Sequence, residues 1–216
     1  YGGKAGDAPP PNPRIASWWR ELNRLTGMID EGDNKSDLKR FELSLETTHH
    51  GPWLSAPSLF IEVGSTSETW HHQGAADLLA KIIFTGLALD GGSGFGKWDE
   101  ATNAGEIVVI TLGGGHYAPR GNLLGLNEGV WLGHMLANYA LPFIAPESED
   151  EAVQGQWRNS IDAALKSTRT AFPGGKIIFS WDKKSFKGWQ RQAIRDRATQ
   201  LEIPLLNSKS ILEMLE

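Results

Sequence analysis

The chain of 216 residues contains no cysteine. No disulfide can staple it, and any metal site would have to be built from His, Asp and Glu. Long apolar runs are missing too: none approaches the ~18 residues that a membrane-spanning helix needs. The expectation is a soluble, cytoplasmic protein without a membrane partner. The opening run Tyr1-Gly2-Gly3-Lys4-Ala5-Gly6-Asp7 has neither a start methionine nor the apolar centre of a signal peptide, so the chain reads as a fragment or a processed product. Basic charge is scarce overall. With 21 Lys and Arg against 26 Asp and Glu, the net charge is −5, which argues against a protein whose whole surface grips nucleic acid. Three signatures are also absent: Gly-x-Gly-x-x-Gly, the Gly-Lys-Ser/Thr ending of a P-loop, and His-Glu-x-x-His.

What is present is enough for one core, with 40% hydrophobic residues. Residues 1–13 read as an extended N-terminal segment and 14–216 as a single domain. Ile15, Trp18, Trp19, Leu22 and Leu25 fall on one helical face. Strict alternation over 41–46 and the apolar pattern over 57–63 predict two strands. Ser65 with Glu68 forms a capping-box pattern that predicts a helix from there to about Leu87. Residues 91–105 are glycine-rich and read as a surface loop. Residues 106–112 are a β-branched strand. Residues 121–139 stay ambiguous, because Gly125, Gly129 and Gly133 interrupt a helical spacing. Val153, Trp157, Ile161 and Leu165 predict another helix, followed by a strand over 176–181, a basic helix over 187–201 and a short strand over 203–206. Strands alternating with helices predict an α/β domain with a mixed, largely parallel sheet flanked by helices.

In such sheets ligands bind beyond the carboxyl ends of the strands. Two histidine runs occupy that position: Thr48-His49-His50-Gly51-Pro52 and Gly113-Gly114-Gly115-His116-Tyr117. An imidazole there can move protons near neutral pH or hold a metal. The triple glycine can be an anion nest of backbone N–H groups or merely a tight turn. His49 and His50 point to opposite sides of an extended backbone, so one faces the site and the other anchors the loop. Glu62 is either a partner that orients a histidine or part of a solvent face. His71 and His72 read as exposed, and His134 in Gly133-His134-Met135 has no context to weigh it by.

Charge is unevenly spread. Residues 175–200 hold seven basic and two acidic side chains, a local +5, with Phe179, Trp181, Phe186 and Trp189 interleaved. Lys184, Lys187, Arg191 and Arg195 share one face at helical spacing, either a phosphate-binding surface or a solvated helix.

Taken together, Tyr1-Gly2-Gly3-Lys4, Thr48 through Pro52, the run from Pro57 to Ser65 with Trp70, Gly113 through Pro119, and Gly133-His134 with Tyr139-Ala140 resemble the archaeal and plant type of D-aminoacyl-tRNA deacylase. The resemblance continues more weakly from Trp181-Asp182-Lys183 and spans essentially the whole chain. It implies hydrolysis of the ester joining a D-amino acid to tRNA, a zinc cofactor, and a fold related to peptidyl-tRNA hydrolase and nucleoside phosphorylase. It also implies a further portion upstream of Tyr1, and the 91–105 loop looks longer than in the family. On that footing either His49 or His50, together with His116, would activate water, directly or through zinc, and Glu62 would orient a histidine. His49, His50, His116 and His134 are the candidate metal ligands. Gly113, Gly114 and Gly115 would donate to the substrate, Tyr117 would line it, and the rigid Gly51-Pro52 pair would wall off L-side chains. Lys183, Lys184, Lys187, Arg191 and Arg195 would hold the phosphates of the aminoacylated acceptor end, with the protein acting as a monomer. Two other readings remain: a non-catalytic tRNA- or nucleotide-binding module, and another zinc-dependent hydrolase such as a peptidase or peptidyl-tRNA hydrolase.

Overall fold

A computed structural model describes residues 7–28, 38, 41–47, 53–64, 66–148 and 151–215. The helices are α1 (Arg14–Gly27), α2 (Gln73–Gly86), α3 (Glu100–Asn103), α4 (Pro119–Gly125), α5 (Trp157–Ala171), α6 (Gly188–Gln200) and α7 (Ser208–Leu212). The strands are β1 (Ile107–Leu112), β2 (Val130–Leu136), β3 (Phe143–Ile144), β4 (Gln154–Gly155), β5 (Lys176–Trp181) and β6 (Leu205–Leu206). Four of them form a parallel sheet in the order β2-β1-β5-β6, and β3 pairs with β4 as a small antiparallel ribbon.

Every residue of β1 is buried, as a continuous β-branched run requires when helices cover both faces. Side-chain alternation sorts them. Val108, Ile110 and Leu112 pack with Trp157, Ile161 and Leu165 of α5 and with Ala193, Ile194 and Ala198 of α6. Ile107 and Val109 pack the other way, with Ala16 of α1, Leu124 of α4 and Ile211 of α7. The result is a three-layer α/β sandwich of the predicted class.

The ambiguous stretch resolves into α4 followed by β2. Gly125 closes the helix, and Gly133 sits in a bulge: Val109 pairs with Leu132 but Thr111 pairs with Met135, so β2 carries one extra residue. A Cβ on Gly133 would stand 2.7 Å from Thr168 Cγ2, so the glycine is what lets α5 approach the strand.

Four expectations are corrected. Residues 41–46 and 57–63 are extended but belong to no sheet among the described residues, apart from an isolated bridge between Pro11 and Ser58. Leu45 and Thr47 instead send their N–H groups to Asn122 Oδ1 (2.7 Å) and to the His116 carbonyl (2.9 Å). Helix α2 starts at Gln73, well after the anticipated point; Ser65 lies outside the described residues, and a turn over 66–69 precedes it. His72, read as exposed, is half-buried and caps α2, its Nδ1 accepting from the Ala75 N–H at 3.1 Å. Finally, α6 starts at Gly188, so Lys184 lies in a separate turn (Lys183–Ser185), and the helical face is shared only by Lys187, Arg191 and Arg195.

Candidate active site

Leu112 is level with Leu136 of β2 and with Trp181 of β5, so the segments leaving β1, β2 and β5 emerge side by side at the carboxyl end of the sheet. They are stitched together there. The Gly113 N–H donates to the Leu136 carbonyl (2.8 Å), the Gly114 N–H to Ser185 Oγ (2.8 Å), and the Asn138 N–H to the Gly114 carbonyl (3.0 Å). Asn138 Nδ2 donates to the Ser185 carbonyl (2.7 Å), and Ser185 Oγ donates in turn to Asp182 Oδ2 (3.0 Å). Gly113 needs its glycine twice over: its φ is +85°, and a Cβ would lie 2.6 Å from the Phe186 ring.

This stitching corrects the donor role of two glycines. The N–H groups of Gly113 and Gly114 are spent on the turn itself, because the neighbouring parallel strands bring acceptors to them. The Gly115 N–H meets no acceptor among the described residues, and the space on its Cβ side is open.

Asp182 anchors the other side. Burial works against its charge, but hydrogen bonds from Ser185, Arg120 and the Lys184 N–H prevail and hold its carboxyl below the ordinary value. Its salt bridge with Arg120 is 3.1 Å long.

His116 stands beside this network. Its Nε2 is 3.2 Å from Glu46 Oε1, and the Tyr117 ring lies edge-on to it at 4.9 Å. Asn122 clamps the segment that carries Glu46: its side chain accepts from the Leu45 N–H and donates to the Tyr117 carbonyl (2.9 Å), while its own carbonyl accepts from Trp19 Nε1 (3.0 Å). Thr47 Oγ1 meets the Tyr139 hydroxyl at 3.1 Å. The carboxylate that reaches His116 is therefore Glu46, to which no motif in the sequence points. Glu62 stands exposed with no hydrogen bond or ion pair to His116, because its segment never enters the sheet that would have aimed it inward. His49, His50, Gly51 and Pro52 lie outside the described residues.

Next to this site a cavity of about 1040 Å³ runs between α1, α2, the edge of β2 and the extended segments over 41–47 and 58–64. Tyr117, Glu46 and Thr47 form one of its walls. Its charged lining is Asp7, Glu42, Glu46 and Glu62, with no Lys or Arg among the described residues. His134 also lines it but does not join His116. It is 7% exposed, with Nε2 3.3 Å from Ser167 Oγ, and burial pushes its pKa down to about 4. Among the described residues no three His, Cys, Asp or Glu side chains gather as a metal would require. His116 and Glu46 alone fall short of such a site.

The basic side chains follow β5, on the Lys183–Ser185 turn and along α6. Lys183, Lys184, Lys187 and Arg195 are exposed, Arg191 is half-buried, and none of the five joins an ion pair among the described residues. Arg195 lies over the Trp181 ring at 5.4 Å. Arg197 differs: it makes two hydrogen bonds to Asp162 and is neutralised. No helix among the described residues is long and apolar enough to cross a membrane.

Comparison with known proteins agrees with this architecture. The family model described as D-aminoacyl-tRNA deacylase matches residues 1–206. A D-aminoacyl-tRNA deacylase of Arabidopsis thaliana is 41% identical over 203 residues, covering 90% of this chain and 61% of the plant protein. One from Pyrococcus abyssi is 32% identical over 162 residues, covering 74% and 49% respectively. The crystal structure of a conserved protein of unknown function superposes with a TM-score of 0.65 at 25% identity, covering 97% of this chain and 61% of that one. The chain thus spans between about half and three-fifths of the length of these relatives. With the family model matched over nearly its full length, the chain belongs to the D-aminoacyl-tRNA deacylase family.

Proposed function

We propose that this chain carries the hydrolytic site for the ester of D-aminoacyl-tRNA, releasing a D-amino acid and free tRNA as a quality-control step of translation in the cytoplasm. The observation that carries the reading is the placement of His116. It is held by Glu46 at the carboxyl end of the sheet, beside an acid-lined cavity, and the basic turn and helix follow β5 from that same end. An aminoacyl-tRNA has the matching polarity: a cationic α-ammonium at one end of the ester and a polyanionic acceptor stem at the other. The cavity suits the first, and Lys183, Lys184, Lys187, Arg191 and Arg195 suit the second.

An ester needs an activated water and a donor for the developing oxyanion. His116 takes a proton from water, and the hydroxide forms a bond to the ester carbonyl carbon. The tetrahedral oxyanion accepts from the Gly115 N–H. Collapse breaks the carbon–oxygen bond to the ribose, and the imidazolium returns its proton to the leaving ribose oxygen. Exclusion of L-substrates is assigned to His49, His50, Gly51 and Pro52. Zinc would need ligands from that same run in addition to His116, where it would lower the pKa of a bound water. The chain acts on tRNA as a monomer in this proposal.

Matched D- and L-aminoacyl-tRNAs, with and without a chelator, provide the test. Release from the D-ester well above the L-ester is expected, and equal rates would contradict the stereochemical reading. Turnover that a chelator abolishes and zinc restores would support the metal; turnover indifferent to chelation would remove it. A module that binds tRNA without turnover is the second reading, favoured by the exposed Lys183, Lys184, Lys187 and Arg195, which join no ion pair among the described residues. It would show salt-sensitive binding and no release.

A further inference from the structure

We propose that Ser185 is a positioning residue for the ester reaction, holding the turn that aims the Gly115 N–H at the developing oxyanion. The chemistry of this role rests on the deacylase reading; its geometry does not. The hydroxyl of Ser185 has one proton to give and two lone pairs. Its proton goes to Asp182 Oδ2 (3.0 Å), because an ionised carboxylate can only accept. A lone pair is thereby left for the Gly114 N–H, which donates to it at 2.8 Å. Asp182 is itself fixed, since Arg120 (3.1 Å) and the Lys184 N–H (3.3 Å) hold its other oxygen. The Ser185 N–H donates to the Asp182 carbonyl at 2.9 Å.

Ser185 reaches the same turn by a second route. Its carbonyl accepts from Asn138 Nδ2 (2.7 Å), and the Asn138 N–H donates to the Gly114 carbonyl (3.0 Å). Gly114 is thus gripped at both its N–H and its carbonyl. The second grip sets the donor, because the Gly114 carbonyl and the Gly115 N–H belong to one planar trans peptide and point in opposite directions. With that carbonyl turned to Asn138, the Gly115 N–H is turned away from it, on a residue whose Cβ side is open. The Gly115 carbonyl accepts from the Ala118 N–H (3.3 Å), so the next peptide is held as well. Such a turn needs holding. Gly113 and Gly114 stand at φ +85° and +82°, and three successive glycines have no Cβ to keep them in any one conformation.

Without the Ser185 hydroxyl the Gly114 N–H loses its acceptor, and the Gly115 N–H is no longer kept in one direction. Amide ¹⁵N–¹H spectra and hydrogen exchange are recorded on the parent, Ser185→Ala and Ser185→Thr proteins, beside kcat and KM on D-aminoacyl-tRNA. In the parent, the Gly114 amide should exchange more slowly than that of Gly115. Ser185→Ala should remove this difference and shift the Gly115 signal. In turnover it should lose about 10- to 100-fold in kcat, short of the roughly 100- to 1,000-fold that losing an oxyanion donor outright costs. KM should stay within about twofold, because the donor acts in the transition state. Ser185→Thr, which keeps a hydroxyl, should recover most of the exchange protection and of kcat. A parent Gly114 amide that exchanges as fast as that of Gly115 overturns the proposal, and it is read on the parent alone, so it decides even if Ser185→Ala fails to fold. A Ser185→Ala protein whose kcat is unchanged, or whose loss lies in KM alone, overturns it too. Amide changes as expected in a protein that releases nothing from D-aminoacyl-tRNA would uphold the grip of Ser185 on the Gly115 donor while removing the deacylase reading.

Discussion

The loop after β1 and the bulged middle of β2 both contain a Gly-His pair, Gly115-His116 and Gly133-His134. In the loop, the glycine faces open space and the histidine has a carboxylate on its ring with a third of its side chain exposed. In the strand, the glycine makes room for Thr168 of α5. The histidine there is sealed between Ser167 and the Pro9 carbonyl, which itself accepts from Ser167 Oγ at 2.7 Å. One environment suits proton transfer; the other favours a permanently neutral ring. A dipeptide therefore does not fix the environment of its histidine. Its place relative to the strand end does.

The contrast can be broken most severely at Gly133. Gly133→Val would drive a side chain into Thr168 and Ile110 of the packed core, and overpacking of that kind costs about 1–3 kcal/mol or more. A clearly lowered melting temperature is expected, whereas Gly115→Val, facing open space, should change it little. Comparable losses in both would erase the distinction.

A second test uses pH. Burial holds the pKa of His134 at about 4 in the folded protein, against an ordinary 6.5. The unfolded chain therefore takes up its proton first as pH falls. Stability is whole above pH 6.5 and declines by about 1.4 kcal/mol per unit until the folded form is protonated near 4. The loss is about 2 kcal/mol by pH 5. Urea denaturation at pH 7 and pH 5 should show this fall, and a His134→Gln protein should lose most of it. An equally steep fall in His134→Gln would assign the pH dependence to other groups.

The smallest effect is expected on the basic surface, which sharpens the contrast by adding a region with no histidine. Replacing Lys183 and Lys187 with Ala should flatten the dependence of tRNA affinity on salt by roughly 1 unit for each phosphate that is no longer neutralised. Melting should stay the same, and D- and L-aminoacyl-tRNA should weaken alike, since phosphates carry no chirality. An unchanged salt slope would mean that the RNA binds elsewhere.

How legible these regions were in the sequence follows from what a pattern can report. Strands β1 and β5 and helices α1, α5 and α6 read correctly because both their periods and their ends are local. In residues 59–63 the alternation also survives, with Phe60 and Glu62 exposed and Leu59, Ile61 and Val63 half-buried. Yet no ladder forms among the described residues, because periodicity reports which side faces inward and is silent on whether a partner strand exists. His72 escaped notice as a cap because imidazole is not among the side chains that usually take that role. At the site, His116 was visible as a histidine just past a buried strand. Glu46 was not, since it meets His116 across 70 residues of chain through contacts made by Asn122 and Thr47. The spent N–H groups of Gly113 and Gly114 were hidden for the same reason: Leu136 and Ser185 reach them only through the parallel pairing of β1 with β2 and β5.

The central claim is that His116 performs the chemistry and contributes little to the fold. The most direct test is single-turnover hydrolysis of D-aminoacyl-tRNA by His116→Ala beside its thermal melt. Losing a general acid–base group should slow hydrolysis by about 100- to 10,000-fold, with the melting temperature close to that of the parent because the ring is partly exposed. A His116→Ala protein that hydrolyses the ester at the parent's rate would contradict the account.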